Sequence, residues 1–515
     1  MAVEDKNVSD NRQAPTCSPA GPVQDSGQQS FFRSFFMHSI LKAYSRALSV
    51  ALAVAALAAT TQADNESLET LLAYLKSPNV DTRRDAAHKL GERRVRNQLA
   101  VEALMVAASK DEDREVRAEA VNALGLIKDF SALPDMLGAL KDSQVNVRRT
   151  AVRALVALYT EHDIDFITNR RSGWNFFNPF LDTSDHEIIE PYQTVDPAII
   201  SALGEAARGD HERDVRIAAI RALGVLRGSA AIAQLADALN ADQDVRIDVL
   251  RAFIKIGDPA AGPHLLPFFR DSNHRVRTQA MVAAGLLKYE PAVEPLLSVY
   301  GLGPEKQGRV TKVTGVVKGV FTYQPERDEA SLWALSLIGD EKAEQTFVEN
   351  IGDRDRDRRR YAFEGLARIA DSRYLDQTSR LVLTEGDGEV KLAQHWALYK
   401  MGSRPNIQYI VRKLDTDQAD QAYNYLLEAN SPDDLLPYVR SGNREVRRKV
   451  IEILGRIGDR TTISELEPIA RTSGSGTSDI ATVAIKRIEW RLSGRPRPDD
   501  AVLKRETRPR RAANP

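Results

Sequence analysis

The sequence predicts an all-α solenoid made of about ten to twelve helical hairpins in tandem, interrupted by two non-repeat insertions. Three observations lead to this fold class. The chain repeats itself about every 31 residues, apolar residues recur at helical intervals, and aromatic residues make up 6% of the chain, few for a β-sandwich. Such a chain has an array of helix pairs rather than one central core.

The clearest repeat unit runs from Asp113 to Asp129. Its apolar residues, such as Val116 and Ala120, are spaced by three and four positions, which places them on one side of a helix. This helix is the second of each pair, and a helix like Leu133–Leu140 is the first. An arginine recurs near the start of the second helix at Arg83, Arg117, Arg148, Arg216, Arg246, Arg277, Arg359 and Arg447.

The recurring arginine follows a helix-capping residue by four positions, at Asn79, Asp113, Asp242, Asn273, Asp355 and Asn443 among others. It therefore lies near the positive end of the helix dipole, where a cation costs a few tenths to about 1 kcal/mol. We expect each guanidinium to be compensated by a corner aspartate or a terminal carbonyl in an adjacent unit. This ladder is predicted to be structural; direct contact of the arginines with a partner is the alternative.

The amino-terminal region contains a segment typical of a secretory signal peptide. Lys42 and Arg46 precede a run, residues 47–59, that is apolar apart from Ser49 and is shorter than the roughly 20 residues of a membrane-spanning helix. The segment predicts cleavage after Ala63 and a periplasmic or secreted protein, with no integral membrane span in the mature form. The alternative is a buried amino-terminal helix, and translation can begin at Met1 or at Met37.

The repeat residues resemble the HEAT-like repeats of the phycobilisome-lyase class. The resemblance rests on the Val-Arg, Ala, Ala-Leu-Gly and Gly-Asp pattern, covers most of residues 66–490, and with the export segment suggests an exported bacterial member. It implies a right-handed solenoid. At the Gly-Asp corners, Gly257, Gly339 and Gly458 are expected to take the left-handed conformation that ends a helix.

The pattern divides the chain into segments. We predict a disordered or upstream extension at 1–36, the signal peptide at 37–63, repeats at 64–158, 198–300 and 327–492, insertions at 159–197 and 301–326, and a disordered basic tail at 493–515. The second insertion contains glycines and β-branched residues that favour a hairpin. The charged stretch 353–360 falls on a corner and is expected to form a salt-bridged, solvated turn.

The first insertion carries the candidate partner-binding residues Trp174, Phe176, Phe177 and Phe180. Insertions in solenoids emerge from one face, often the binding face. These aromatic residues either anchor a partner or form a cap that folds back and plugs a gap between the units of Arg148 and Arg216.

The sequence offers no named residue for catalysis. The single cysteine, Cys17, excludes an intramolecular disulfide and a cysteine zinc site, and the His-Glu pairs at His186 and His211 lack the regular recurrence of a di-iron centre. The formal charge of −1 gives no sign of nucleic-acid binding. We therefore expect a noncatalytic scaffold or adaptor for a protein or extended peptide, with no cofactor and no metal. The alternative is a HEAT-like enzyme acting on a metal-bound or tetrapyrrole substrate.

Overall fold

A computed structural model describes residues 66–160, 188–191, 193–302, 327–472 and 476–493. The chain divides into two compact units, Met1–Thr70 and Leu71–Pro515. The described part of the first unit is residues 66–70, and the fold reported below is that of the second unit. The described residues contain no strand, and none of their helices is long and apolar enough to cross a membrane.

The α-helices of the described residues follow one another in chain order as α1 (Leu68–Tyr74), α2 (Val80–Glu92), α3 (Gln98–Lys110), α4 (Arg114–Ile127), α5 (Leu133–Ala139), α6 (Val145–Ala157), α7 (Pro197–Gly209), α8 (Arg213–Val225), α9 (Ile232–Ala241), α10 (Arg246–Ile256), α11 (His274–Leu286), α12 (Val293–Tyr300), α13 (Arg327–Ile338), α14 (Glu344–Asn350), α15 (Arg356–Ile369), α16 (Leu375–Thr384), α17 (Gly388–Lys400), α18 (Ile407–Arg412), α19 (Ala419–Leu427), α20 (Arg444–Ile457), α21 (Arg460–Arg471) and α22 (Ser478–Ser493).

These helices form twelve hairpins within the described residues, which confirms the predicted all-α solenoid. In two hairpins the first helix is replaced by short 3₁₀ segments, Pro259–His264 with Leu266–Arg270 and Pro432–Asp434 with Leu436–Arg440. The second helices are α2, α4, α6, α8, α10, α11, α13, α15, α17, α19, α20 and α22. They pack closely on one another, whereas neighbouring first helices touch less, so the second helices form the tighter layer.

The tight spacing of the second helices comes from contacts between a glycine and the next helix. A Cβ added at Gly125 in α4 would lie 2.6 Å from Cα of Ala154 in α6. The same arrangement joins Gly91 to Ala123 and Gly455 to Ala484. The glycine of the Ala-Leu-Gly pattern is therefore required by backbone approach between units, since any side chain would force the helices apart.

This contact reverses the usual effect of a glycine-to-alanine change. Gly125→Ala is expected to lower the free energy of unfolding by about 1–3 kcal/mol because the added methyl group overpacks the interface. Gly138→Ala in α5 is the matched control, since nothing lies within 4 Å of its added Cβ, and it should be neutral or stabilise by up to about 1 kcal/mol. Chemical denaturation followed by circular dichroism measures both, and equal effects of the two changes would contradict the assignment.

The glycine has the expected left-handed conformation at two of the three Gly-Asp corners. Gly257 and Gly339 have φ of 71° and 72°, in the left-handed region. Gly458 instead has φ −63° and ψ 168°, so the expected left-handed conformation is wrong there. The reason is that Asp459 caps α21 immediately, forming a capping box with Thr462, and the chain must run extended to reach it.

Both insertions leave the stack of second helices continuous. Arg148 of α6 pairs with Asp210, just before α8, with Nε and Oδ2 at 2.7 Å, although 62 residues separate them. In the same way, a Cβ at Gly285 in α11 would lie 2.9 Å from Cα of Ala334 in α13. Helices α6 and α8 are in direct contact. The units of Arg148 and Arg216 are therefore stacked directly on each other, and residues 161–187 of the first insertion lie outside the described residues.

Candidate functional site

Six of the eight recurring arginines link their unit to the next through a carboxylate. Arg117 donates from Nε and Nη2 to the two oxygens of Asp142, at 2.8 and 3.0 Å, in the following corner. The equivalent pairs are Arg83–Asp111, Arg148–Asp210, Arg216–Asp242, Arg246–Asp271 and Arg359–Glu385, with shortest distances of 2.7, 2.7, 2.7, 2.9 and 3.1 Å. Each guanidinium thus spans one interface between units.

The same arginines also hold the corner of their own unit. Arg117 donates from Nη1 to the carbonyl oxygens of Asp111 and Glu112, at 2.9 and 3.1 Å. Arg277 makes this contact with Asp271 and Ser272, and Arg447 makes it with Ser441. The carboxylate acceptor lies in the next unit and the carbonyl acceptors in the arginine's own unit, whereas the sequence placed both in an adjacent unit.

Two carboxylates of this ladder, Asp142 and Asp111, are held in their charged form. Burial alone would raise the pKa of Asp142, but the hydrogen bonds from Arg117 and from the backbone N–H of Gln144 outweigh it and lower the pKa below its ordinary value. The pKa of Asp111 is also lowered, because its carboxylate accepts hydrogen bonds from the Arg83 side chain and from the backbone N–H of Asp113. These two carboxylates are therefore charged in the folded protein and form ion pairs between adjacent units.

The aromatic residues Trp174, Phe176, Phe177 and Phe180, predicted to bind a partner, lie outside the described residues. So do the pair His186-Glu187 and the predicted hairpin within 301–326. The charged stretch 353–360 is described and differs from the expected turn, because its second half is the first turn of α15. Arg358 donates to Asp328, and Arg359 to Glu385, in half-buried pairs.

A cluster of aromatic and charged side chains lies where α15, α17 and α19 pack together. Trp396 is buried and its ring stacks on Tyr425, with centroids 4.2 Å apart and planes 3° from parallel. The guanidinium carbon of Arg368 lies 4.8 Å from the Trp396 ring centroid. The indole is therefore held between a phenol and a cation, and we call Glu364, Arg368, Trp396, Tyr425 and Glu428 the aromatic–charge cluster.

One end of this cluster is a buried acid–phenol pair. The hydroxyl of Tyr425 donates to Oε1 of Glu364 at 2.6 Å and accepts from Nε2 of Gln421 at 2.7 Å. Burial, together with the Glu364 carboxylate, raises the pKa of Tyr425 well above its ordinary value. The phenol therefore stays protonated and acts as a hydrogen-bond donor at neutral pH.

The other end of the cluster gathers three cations around one carboxylate. Glu428 accepts from Nη2 of Arg368 at 2.9 Å, and Nζ of Lys288 lies 3.5 Å from its Oε2. Nζ of Lys400 donates to the Glu428 carbonyl at 3.0 Å. Burial raises the pKa of Glu428, but Arg368 and the two lysines outweigh it and lower the pKa. This end of the cluster therefore carries an excess of positive charge.

Several buried polar atoms of this region have no hydrogen-bond partner among the described residues. They include Nε1 of Trp396, Oε1 of Gln394 and Oε1 of Gln421. Buried polar groups are otherwise almost always paired, so an interior with several unpaired donors and acceptors can accommodate water or a polar ligand group. No group of three or more His, Cys, Asp or Glu side chains suited to a metal ion occurs in the ranges that the structure describes.

This cluster was not predicted from the sequence, although one signal was present. The position five residues after the ladder residue belongs neither to the glycine contacts nor to the arginine–carboxylate ladder, and it changes from unit to unit, being Asn122 in α4, Glu364 in α15 and Trp396 in α17. In the first five units it carries polar side chains that are exposed or half-buried. We call these five residues the second-helix row, which consists of His88, Asn122, Arg153, Arg221 and Arg251.

Comparison with family descriptions agrees with the repeats seen in the structure. Residues 101–172 match the family described as HEAT repeats, and residues 215–241 match the PBS lyase HEAT-like repeat. The chain is a HEAT-like repeat protein. The two matches cover separate parts of the array, and the other HEAT-like units are those traced above by their helices and ladder pairs.

Two curated relatives are similar to this HEAT-like chain. Phycocyanobilin lyase subunit alpha of Picosynechococcus sp. is 24% identical over 286 residues, which is 54% of this chain and 96% of the relative. Phycocyanobilin lyase subunit alpha of Nostoc sp. is 27% identical over 148 residues, 28% of this chain and 52% of that relative. Our prediction that the protein is not an enzyme is contradicted by these relatives, since both are named as lyase subunits.

Solved structures similar to this chain include two complexes. The complex of CpcE and CpcF of phycocyanin lyase from Nostoc sp. PCC7120 is 18% identical, with a TM-score of 0.23, and covers 65% of this chain and 94% of that chain. Kap95p, solved with RanGDP, is 13% identical, with a TM-score of 0.36, and covers 81% of this chain and 63% of that chain.

Proposed function

We propose that this HEAT-like protein binds a protein or extended peptide partner along the second-helix row. The observation that carries the proposal is the row itself. Positions needed for stacking are nearly constant between units, while the row position varies and carries polar side chains that are exposed or half-buried. A continuous surface that presents histidine, asparagine and arginine side chains from successive units suits an extended ligand. The first relative is named as a subunit of a lyase, which supports the proposal that this protein also binds another protein chain.

The test compares two triple variants by affinity capture. The row variant carries Arg153→Ser, Arg221→Ser and Arg251→Ser, and the control carries Arg114→Ser, Arg213→Ser and Arg356→Ser, whose side chains are more than half exposed at the starts of second helices. Proteins captured by the unchanged chain from an extract are identified by mass spectrometry, purified and titrated. We expect the row variant to weaken binding by about tenfold or more and the control to leave it unchanged. Equal binding by both variants would contradict the proposal.

A second candidate function is lyase-type chemistry on a tetrapyrrole. It is favoured by the similarity to phycocyanobilin lyase subunit alpha over 96% of that relative, and by the cations of the aromatic–charge cluster, which suit carboxylate side chains of a tetrapyrrole. Phycocyanobilin mixed with the purified protein should change its visible absorption spectrum, and Arg368→Gln should reduce the change. An unaltered spectrum over a full titration would rule against this candidate.

We further propose that the protein is exported. The support is the basic flank and apolar run of residues 37–63. The expected result is a mature protein that begins at Asp64 when it is expressed in a bacterium and isolated from the periplasmic fraction. Intact-mass and amino-terminal peptide measurements decide the point, and a cytoplasmic protein that retains residues 47–59 would contradict it.

A further inference from the structure

Three arginines from distant parts of the chain meet near the carboxyl ends of α8, α20 and α22. Arg227 follows α8, Arg456 is in the last turn of α20, and Arg487 is in α22. They are close enough for Arg227 to interact electrostatically with both others and with Glu190. We call Arg227, Arg456 and Arg487 the arginine cluster.

One carboxylate faces this cluster from the short segment Ile188–Glu190. Nε of Arg487 donates to Oε2 of Glu190 at 2.7 Å, and its Nη2 donates to Oε1, although 297 residues separate the two. The backbone of the segment is also bound, because the N–H of Ile189 donates to the carbonyl of Val225 at 3.0 Å and its carbonyl accepts from Nε of Arg227 at 3.1 Å. A short stretch of chain thus docks here through its backbone and a carboxylate.

The arginine cluster has more positive charge than its neighbours neutralise. Glu190 is the one carboxylate paired with the cluster within 4.0 Å among the described residues, and Arg227 and Arg456 have no carboxylate oxygen within that distance. The nearby Glu452 is already used by Tyr423 and Arg448, at 3.3 and 3.6 Å. The excess is therefore one to two charges, held at half-buried or exposed positions.

Repulsion between the positive charges of the arginine cluster affects the pKa of Arg227. Burial, together with the charges of Arg456 and Arg487, lowers its pKa. Within the described residues, the Arg227 side chain makes one hydrogen bond, from Nε to the carbonyl of Ile189. Its two terminal nitrogens, Nη1 and Nη2, have no acceptor there. A planar guanidinium presents a fork that matches a carboxylate, so bound carboxylates would relieve the repulsion and satisfy these donors.

We propose that the arginine cluster binds an acidic peptide segment of the protein partner, and that Glu190 occupies part of this site in the free protein. The inference rests on the proposed partner-binding function and adds the chemistry of the partner. Residues 188–190 display the binding mode, with backbone hydrogen bonds to Val225 and Arg227 and a carboxylate on Arg487. Carboxylates of the partner neutralise Arg227 and Arg456 and compete with Glu190 for Arg487.

The experiment uses the full chain and two fluorescein-labelled peptides, hexaglutamate and hexaglutamine, titrated by fluorescence anisotropy at low salt. We expect hexaglutamate to bind and hexaglutamine not to bind, with affinity falling as salt rises. Arg227→Gln and Arg456→Gln should each weaken binding by about tenfold, the effect of losing one charge-assisted contact. Arg440→Gln is the matched control, since its side chain is 73% exposed elsewhere on the array, and it should change nothing. Glu190→Gln should tighten binding.

Each of the following results would overturn one part of the proposal. Equal binding of the two peptides, or an equal loss with Arg440→Gln, would overturn the carboxylate site. Displacement of hexaglutamate by inorganic phosphate at the same concentration would overturn the assignment to a peptide. Unchanged or weaker binding by Glu190→Gln would overturn the competition with Glu190. If Arg456→Gln binds the purified partner normally while the second-helix row variant does not, this inference fails and the proposed function stands.

Discussion

Replacing Trp396 with alanine is expected to lower the free energy of unfolding by about 3–5 kcal/mol. The indole is buried between the ring of Tyr425 and the guanidinium of Arg368, so its removal leaves a cavity bounded by a phenol and a cation. Both neighbours also belong to ion or hydrogen-bond pairs, with Glu428 and Glu364, that cannot move inward without losing those partners. Urea unfolding followed by circular dichroism measures the loss.

Two controls make this prediction specific. Trp396→Phe keeps a ring between the same neighbours and should lose markedly less stability than the alanine variant. Leu383→Ala removes a large side chain that is 80% exposed and should have an effect near zero. If Trp396→Ala unfolds at the same urea concentration as Leu383→Ala, the stack does not hold the units together.

Asp142→Ala is expected to cost about 2–4 kcal/mol, the second large effect. The change leaves the mostly buried guanidinium of Arg117 without its carboxylate and removes an acceptor for the backbone N–H of Gln144. The exposed carboxylate of Asp237, 63% exposed, provides the control, and Asp237→Ala should change stability by less than about 0.5 kcal/mol. Equal values for the two variants would show that the ladder contributes nothing to stability.

The ladder also predicts a dependence of stability on pH. Because the folded-state pKa of Asp142 is lowered, its contribution is complete above the unfolded value of about 3.9 and is lost as the pH falls through the folded value. The pKa values of Asp111, Asp242 and Glu385 are also lowered in the folded protein. Thermal unfolding should therefore show a steep loss of stability as the pH falls below about 4, and Asp142→Ala should make that loss shallower. An unchanged slope would contradict this linkage.

The ladder and the hairpins were predictable because they depend on local spacing. An arginine four residues after a capping aspartate has a fixed position on its helix, so a carboxylate in a corner could be expected as its partner. The aromatic–charge cluster could not be predicted in this way. Glu364, Trp396 and Tyr425 lie about 30 residues apart, and each occupies a position that is unremarkable within its own unit. Only the stacking of three units brings them into contact.

Other differences have equally local causes. Gly458 resembles the glycines of other corners, but the capping of α21 by Asp459 requires extended backbone there. The absence of a recognisable catalytic motif led to the prediction of a noncatalytic protein, which the lyase relatives contradict. A motif search cannot detect side chains that converge from separate repeats, since no short stretch of sequence contains them.

The contact between Glu190 and Arg487 has a consequence for the folding kinetics of the array. Solenoids whose units touch only their neighbours have low contact order and can fray from either end, one unit at a time. A tie across 297 residues lets the last hairpin detach only after a bond to a much earlier part of the chain has broken. Opening of the carboxyl-terminal end is thereby coupled to the middle of the stack, which makes native-state amide exchange in α22 slower than in a freely ending repeat.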